Sequence, residues 1–110
     1  MEGCIFCEII ADRHQADVVG ENELAKAFVD INPKAPVHVL VVPKTHYERP
    51  DQIPATTLSS MFDLAREVAI KKGLDQTGYR QLINTGRHAG QTVDHVHLHV
   101  LGGRASNLLY

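Results

Sequence analysis

The sequence predicts a domain in which one long helix accompanies several β-strands. Three observations support this expectation: residues 93–101 alternate imidazole and aliphatic side chains, residues 36–43 are almost continuously apolar, and residues 54–73 carry apolar residues at helical spacing. The first two patterns are typical of strands and the third is typical of an amphipathic helix. With 110 residues, the chain is expected to form a single domain over residues 1–110.

The charge and the apolar pattern exclude several classes of function. The formal net charge is −2 and no basic block occurs, which argues against a surface for nucleic acid. No apolar run approaches the length of a membrane span, and the first residues do not resemble a signal peptide. We therefore expect an intracellular, cytoplasmic protein that binds neither nucleic acid nor a membrane.

The first predicted element is a short helix over residues 4–10, with Phe6, Ile9 and Ile10 at helical spacing. Cys4 and Cys7 form a Cys-x-x-Cys pair in the same segment. In an intracellular protein such a pair is more typical of a metal site or a redox motif than of a structural disulfide. A thioredoxin-like motif needs a preceding strand, so the metal site is favoured.

Two strands are expected next, over residues 17–21 and 24–31, with a turn at residues 20–23. Asp30 follows the second strand. Its carboxylate could accept hydrogen bonds from the hydroxyls of a sugar, but the local sequence favours a turn-capping role. The apolar strand at residues 36–43 should be central and covered on both faces. His38 interrupts this strand, and His46 lies on the loop after it.

The long helix is predicted over residues 54–73, because Pro54 suits a first helical turn and Gly73 suits the position after the last one. Its apolar stripe is expected to pack in the core, without any role in cofactor binding. The stripe consists of Leu58, Met61, Phe62, Ala65, Val68 and Ala69.

A further strand over residues 79–84 leads into a loop, residues 85–92. Gly86 and Gly90 permit positive φ angles in this loop. A loop of this kind can direct several backbone N–H groups at an anion. Its position directly before the histidine-rich segment strengthens the expectation of a phosphate site.

Residues 93–101 alternate strictly, which predicts a strand with His95, His97 and His99 on one face, about 6.6 Å apart. Val96, Leu98 and Val100 would then face the core. Three aligned imidazoles suit nucleophilic or acid–base chemistry, or a shared metal. A merely solvated face is a third interpretation, which is disfavoured because such faces usually carry Thr, Lys or Glu.

The motifs together resemble the histidine-triad (HIT) family, and in particular its Hint-like branch. The resemblance rests on the segments at residues 30–31, 35–38, 42–46, 90–93 and 95–104. It implies the α+β class and a HIT-like fold: an antiparallel sheet of about five strands with one long and one short helix. It also implies a homodimer that binds purine nucleotides, such as conjugates of AMP or GMP. The implied reaction is hydrolysis of nucleoside 5′-phosphoramidates or of acyl- and aminoacyl-adenylates to the nucleoside monophosphate.

The resemblance also implies roles for individual residues. His97, the middle histidine, would be the nucleophile, His38 and His99 would contact the phosphate, and Thr92 would pass a proton toward the leaving amine. Asp30 would hold the ribose hydroxyls. The implied nucleotide-binding set is Ile5, Phe6, Ile9, Phe28, Asp30, Ile31, Asn84, Gly90, Gln91, Thr92, Val93, His97 and His99.

A second implied site is a structural zinc site. Cys4, Cys7, His46 and His95 resemble the zinc ligands of many bacterial HIT proteins and of the related galactose-1-phosphate uridylyltransferases. Two thiolates and two imidazoles fill all four tetrahedral positions, which is typical of structural zinc. This interpretation assigns the first histidine of the triad to the metal.

Four alternatives stay open at this point. The chain could be a dinucleoside polyphosphate hydrolase, or a nucleotide-binding regulatory module without physiological catalysis. A nucleotidyltransferase is disfavoured, because the uridylyltransferases carry Gln where this chain has His99. A metalloenzyme that binds zinc through His95, His97 and His99 is disfavoured by the competing Cys₂His₂ set.

Overall fold

The computed structural model describes residues 3–105. Five antiparallel strands form one sheet and are accompanied by one short and one long helix, so the predicted α+β, HIT-like architecture is confirmed. The prediction that residues 1–110 form one domain includes positions outside the described range and stays a prediction. The elements are α1 (Ile5–Ile10), β1 (Val18–Glu21), β2 (Ala25–Val29), β3 (Val37–Pro43), α2 (Ala55–Lys71), β4 (Tyr79–Ile83) and β5 (Leu98–Gly102).

The strand order in the sheet is β1-β2-β3-β5-β4, so β3 lies at the centre. Its residues from His38 to Pro43 are all buried, as the continuous apolar sequence predicted. In the pairing of β3 with β5, Leu40 lies opposite His99 and His38 lies opposite Leu101. This register brings the histidine of β3 and the histidines of the C-terminal segment to the same part of the sheet.

Helix α2 covers one face of the sheet, and α1 covers part of the other. Against α2 pack the small and branched residues Ala25, Ala27, Val39, Val41, Val96, Leu98 and Val100. On the opposite face, Phe6 and Ile9 of α1 pack against Phe28, Leu40 and Val42. The alternation of side chains along β2 and β3 divides each strand between these two clusters. None of the helices within residues 3–105 is long and apolar enough to cross a membrane.

The prediction for the apolar stripe of α2 was wrong at Phe62, which is 38% exposed. Leu64 belongs to the buried face instead and is 1% exposed. Since a helix advances about 100° per residue, positions 61, 64, 65 and 68 share one face and position 62 lies at its rim. Met61, Ala65, Val68 and Ala69 are buried as predicted, and Leu58 is half-buried.

The predicted strand over residues 93–101 is shorter than expected, because β5 begins only at Leu98. The β3–β5 ladder ends at the pair Val41–Leu98. Just before it, the N–H of Val96 donates to the carbonyl of Tyr47, in the loop after β3, at 2.8 Å. The backbone therefore leaves the ladder at the histidines. The burial prediction is confirmed, since Val96, Leu98 and Val100 are all 0% exposed.

We expect Leu64→Ala to lower the free energy of unfolding by about 2–5 kcal/mol, because it removes buried methyl groups and leaves a cavity between α2 and the sheet. Glu67→Ala, an exposed position on the same helix, should change the free energy of unfolding by less than about 0.5 kcal/mol. Urea unfolding of both variants measures the difference. Equal effects at the two positions would contradict the packing described here.

Candidate functional site

A cavity of about 1250 Å³ opens beside α1, on the side of the sheet opposite α2. It brings together most of the residues that the sequence singled out for nucleotide binding. Gln91 is the exception among them: it does not line the cavity. Those that line it are Ile5, Phe6, Ile9, Phe28, Asp30, Ile31, His38, Asn84, Gly90, Thr92, Val93, His97 and His99.

His97 is 5% exposed, and its Nδ1 lies 2.8 Å from the backbone carbonyl of His95. A carbonyl oxygen only accepts hydrogen bonds, so Nδ1 carries the proton and donates it. In the neutral ring, Nε2 then keeps a free lone pair. The rings of Phe6 and His99 contact the His97 ring, with centroids at 5.3 and 5.0 Å. These contacts hold one tautomer and one ring orientation.

His38 and His99 form a hydrogen-bonded pair whose proton positions are also fixed. The N–H of Lys34 donates to Nδ1 of His38 at 3.0 Å, so the proton of a neutral His38 lies on Nε2. That Nε2 lies 2.9 Å from Nδ1 of His99, which must then accept. The proton of His99 is therefore on its own Nε2, which is buried and has no hydrogen-bond partner in the described part of the chain. A ligand oxygen in the cavity is the acceptor that this N–H lacks.

Burial keeps both of these histidines neutral at pH 7. It lowers the pKa of His99 to about 4, with His97 and His38 as further causes. Burial likewise lowers the pKa of His38, although the carboxylate of Asp30, 3.3 Å from its Nε2, acts in the opposite direction. The neutral rings can still donate hydrogen bonds to a ligand, although they carry no positive charge.

Asp30 follows β2 and serves two structural purposes. Its Oδ1 accepts a hydrogen bond from the N–H of Asn32 at 2.9 Å, as expected of a turn-capping residue. Its Oδ2 faces His38 and the residue lines the cavity. The capping role therefore leaves one carboxylate oxygen beside the histidine pair.

The part of the cavity next to α1 is an apolar slot. The rings of Phe6 and Phe28 meet edge to face with centroids at 5.5 Å, and Ile9 is buried beside them. Ile5 and Ile31, which are 39% and 88% exposed, line the same cavity. Aromatic and aliphatic walls of this kind suit a flat, mainly apolar ring system.

The loop before the histidine segment takes the backbone shape that its glycines permit. Gly86 and Gly90 have φ angles of +81° and +86°. The Gln91 side chain fastens the loop: its carbonyl accepts from the N–H of Gly86, and its amide donates to the carbonyls of Glu48 and Val93. Gln91 thus shapes the loop from outside the cavity.

Several lining residues were missed from the sequence. Two of them carried a readable signal: Leu40 lies two positions after His38, and Leu101 lies two positions after His99, each within one predicted strand. The period of two in a strand was sufficient to find both. The others depend on tertiary contacts and include His14, Gln15, Ala16, Lys34, Arg80, Leu82 and Arg104.

A second cluster joins Cys4, Cys7, His46 and His95, drawn from α1, the loop after β3 and the histidine segment. Nδ1 of His95 lies 3.3 Å from Sγ of Cys4, and Nδ1 of His46 lies 3.3 Å from Sγ of Cys7. The two Nδ1 atoms are 3.1 Å apart. Nε2 of His95 donates to the carbonyl of Pro43 at 2.9 Å, so in the neutral ring the lone pair of Nδ1 faces the cluster.

This donor set fits zinc. A tetrahedral ion with Zn–N and Zn–S distances of about 2.0–2.3 Å separates its ligand atoms by roughly 3.3–3.7 Å, close to the separations seen here. Burial raises the pKa of the Cys7 thiol and lowers the pKa of His95 to about 4. A cation at the centre would reverse the first of these effects, because it stabilises the thiolate.

The three histidines of the triad do not converge on one point. The Nδ1 atom of His95 faces the cysteines, and Nδ1 of His97 bonds to a backbone carbonyl. His99 is hydrogen-bonded to His38. This geometry disfavours the zinc metalloenzyme that the sequence left open. Asp30, His38 and His99 also lie close enough to share an ion, but the N–H of Lys34 bonds to Nδ1 of His38, so Nε2 of the neutral ring keeps its proton and offers no lone pair.

The comparisons with known proteins agree with this geometry. The family model described as the HIT domain matches residues 12–106. Purine nucleoside phosphoramidase of Escherichia coli K12 is 39% identical over 106 residues, which are 94% of this chain and 89% of that protein.

Two solved structures are similar over nearly the whole chain. A histidine triad protein from Clostridium difficile superposes with a TM-score of 0.90 at 39% identity, over 98% of this chain and 97% of that one. A Zn-bound histidine triad family protein from Mycobacterium smegmatis superposes with a TM-score of 0.85 at 34% identity, over 98% and 80%. With the family model matched over most of its length and the paired histidines in one cavity, the chain belongs to the HIT family.

Proposed function

We propose that this protein is a purine nucleotide hydrolase. It cleaves nucleoside 5′-phosphoramidates, or acyl- and aminoacyl-adenylates, to the nucleoside monophosphate through a covalent bond between His97 and the nucleotide. The observation that carries the proposal is the hydrogen bond from Nδ1 of His97 to the His95 carbonyl, which leaves Nε2 as a neutral nucleophile in the cavity. The name of the E. coli relative, purine nucleoside phosphoramidase, supports the choice of substrate.

In the proposed complex, the purine enters the apolar slot between Phe28 and the α1 residues Phe6 and Ile9. The ribose hydroxyls donate to Oδ2 of Asp30, the oxygen that does not cap the turn. The phosphate accepts hydrogen bonds from Nε2–H of His99, the amide of Asn84 and the backbone of residues 90–93. The unpartnered Nε2–H of His99 supports this orientation, because a buried donor without an acceptor is costly unless a ligand supplies one.

The first chemical step is attack of the Nε2 lone pair of His97 on phosphorus. A bond between nitrogen and phosphorus forms as the bond from phosphorus to the leaving amine breaks. Thr92, which lines the cavity, passes a proton to the departing amine. His99 and the loop N–H groups stabilise the charge that develops on the phosphate oxygens. Covalent catalysis of this kind divides one difficult displacement into two easier ones.

In the second step a water molecule attacks phosphorus and the bond to His97 breaks. The electron pair of the broken bond returns to Nε2, so the imidazole is neutral again. The proton that the water gives up restores the hydroxyl of Thr92, and the nucleoside monophosphate leaves. Neither step requires a metal ion. The hydrogen bond to the His95 carbonyl keeps His97 in one orientation through both steps.

We also propose that Cys4, Cys7, His46 and His95 hold one structural zinc ion. The zinc crosslinks α1, the loop after β3 and the segment before β5. The donor atoms lie within 4.8 Å of one another, and the Zn-bound M. smegmatis structure supports this choice of metal. Cys4 also caps α1, since its Sγ accepts a hydrogen bond from the N–H of Cys7 at 3.4 Å.

We further propose a cytoplasmic homodimer. Strand β4 is an edge strand, and its five residues are all half-buried. An edge strand can pair with a second copy of the same strand. Phe62, at the rim of α2, is 38% exposed and adds an apolar surface that a second copy could cover.

His97→Gly should lower kcat by several powers of ten while nucleoside monophosphates still bind, because it removes the covalent nucleophile but none of the slot residues. His88→Gly, an exposed loop histidine, is the matched control and should keep normal turnover. Mass spectrometry after rapid quenching should find nucleotide on His97 of the wild type. Near-normal turnover by His97→Gly would contradict the covalent scheme and would favour a binding module or another mechanism.

Chelation, or Cys4→Ser, should release one zinc ion per chain and lower the melting temperature by at least about 5 °C, or about 1 kcal/mol for a domain of this size. Serine is itself a good helix N-cap, so the substitution tests the metal separately from the cap. Protein that remains folded should still hydrolyse substrate. Elemental analysis without zinc, in protein purified without chelator, would exclude the site.

Sedimentation at micromolar concentration should give the mass of a dimer. Gln81 lies in the middle of β4, so Gln81→Pro should disturb this edge strand and shift the equilibrium toward the monomer. Gln76→Pro, outside the strand, serves as the control for proline itself. A monomer mass for the wild type would refute the assembly.

A further inference from the structure

We propose that Lys26 is a positioning residue for the nucleobase: its buried ammonium group fixes the C-terminal end of α1, the helix that forms one wall of the slot. Lys26 itself does not line the cavity. It acts through α1, and the inference rests on the proposed function because it takes the ligand of the slot to be a purine nucleotide.

The ammonium group of Lys26 is fully engaged by α1 and the residues after it. Lys26 is 4% exposed, and its Nζ lies 3.2 Å from the carbonyl of Ile9 and 3.4 Å from that of Ile10. The third partner is Oδ1 of Asp12, at 2.9 Å. An ammonium group has three N–H donors, and each of them has an acceptor here. A buried charge is tolerated only with such partners.

The contacts lie at the C-terminal end of the helix, where the N–H groups of Asp12 and Arg13 also donate to the carbonyls of Ile9 and Glu8, at 3.1 and 2.8 Å. The last carbonyls of a helix have no partners within the helix and carry the negative end of its dipole, so a cation there is favourable. Asp12 follows the helix with a φ angle of +59°, the only positive φ among the non-glycine residues that the structure describes. In this backbone conformation its carboxylate lies against the ammonium group of Lys26.

Helix α1 has only six residues, so it depends on tertiary contacts for its stability. The Cys4–Cys7 cluster fixes its N-terminal end, and Lys26 fixes its C-terminal end. The position of Lys26 in β2 suits this task, because Lys26 and Phe28 share one face of the strand, while Ala25 and Ala27 belong to the core under α2. The same strand therefore supplies one wall of the slot and the anchor of the other.

The two ends of α1 serve different parts of the site. Phe6, near the cysteines, contacts the ring of His97 with ring centroids at 5.3 Å, whereas Ile9, near Lys26, is buried in the apolar cluster with Phe28 and lines the slot. Loss of the Lys26 contacts should therefore release Ile9 and widen the slot, while His97 keeps its orientation. The expected signature is weaker binding of the base with an unchanged chemical step.

The test compares Lys26→Met with Asp12→Asn and with a control, Lys44→Met. Methionine keeps the length of the side chain without its charge, and asparagine keeps the acceptor and tolerates a positive φ. Lys44 forms a more exposed ion pair, with Glu21 of β1, at 2.6 Å. Binding of AMP and of inorganic phosphate is measured for each protein, together with hydrogen exchange of residues 5–12.

Lys26→Met should weaken AMP binding and raise KM for a nucleoside phosphoramidate by about tenfold, or about 1.4 kcal/mol, with kcat within about twofold. Phosphate binding should not change. A ribose 5-phosphoramidate without a base should be hydrolysed equally by the wild type and the variant. Asp12→Asn should give a smaller effect in the same direction, faster exchange should be confined to residues 5–12, and Lys44→Met should resemble the wild type.

Unchanged AMP affinity in Lys26→Met would overturn the inference, as would a loss of AMP and phosphate affinity by the same factor. Unchanged exchange in residues 5–12 would overturn it as well. If Lys26→Met does not fold, the same measurements on Asp12→Asn decide the question. If the wild type binds AMP but hydrolyses no phosphoramidate, the proposed reaction fails while the binding comparison still decides the role of Lys26.

Discussion

The pairing of β3 with β5 is the constraint on which both the fold and the candidate site depend. Its register sets Leu40 opposite His99 and Val41 opposite Leu98. One face of the two strands then contributes Val39, Val41, Leu98 and Val100 to the core beneath α2. The other face carries His38 and His99, close enough to share a hydrogen bond. A slip of one residue would exchange the two faces, so the core and the histidine pair are specified together.

The N-terminal end of β5 lies next to both the Cys₂His₂ cluster and the cavity that contains His97. The residues just before Leu98 lie outside the sheet. The Nδ1 atom of His95 can therefore face the cysteines, while the backbone carbonyl of His95 orients the ring of His97. Phe6 packs between the two histidine rings, with centroids at 5.8 Å from His95 and 5.3 Å from His97. The metal cluster and the nucleophile are therefore neighbours that share contacts but point their lone pairs in different directions.

The electrostatic character of the site follows from burial. His38 and His99 are enclosed by apolar strands and by each other, so charging either ring is unfavourable and their pKa values are lowered. Folding therefore becomes less favourable as the pH falls from about 6.5 toward 4, because the unfolded chain takes up protons that the folded one resists. At neutral pH the same burial gives fixed, uncharged donors and acceptors, which suits the binding of a phosphate group without a permanent positive charge.

Several features were determined by the sequence alone. The continuous apolar run identified β3, and the period of two identified the buried face of residues 96, 98 and 100. Helical spacing identified α2 with its boundaries within two residues. The ordered motifs identified the family. These patterns are local and repeat along the chain, so they can be read without coordinates. The exposure of Phe62 was not foreseen, because the rim of a helix depends on how the helix lies on its sheet.

Tertiary structure decided the rest. The early end of the ladder, the tautomer of His99 and the anchoring of the Gln91 side chain depend on hydrogen bonds between segments that are distant in sequence. The tautomer of His97 depends on a bond to the nearby carbonyl of His95, which is available because the backbone has left the ladder there. Lys26 shows the difference most clearly. Its sequence context, a single lysine in an apolar strand, gave no sign of a role, and only the folded chain brings the end of α1 and Asp12 to its ammonium group. The spacing of residues along one strand or helix shows which face a side chain occupies. Which other residues it contacts there depends on how the elements pack together.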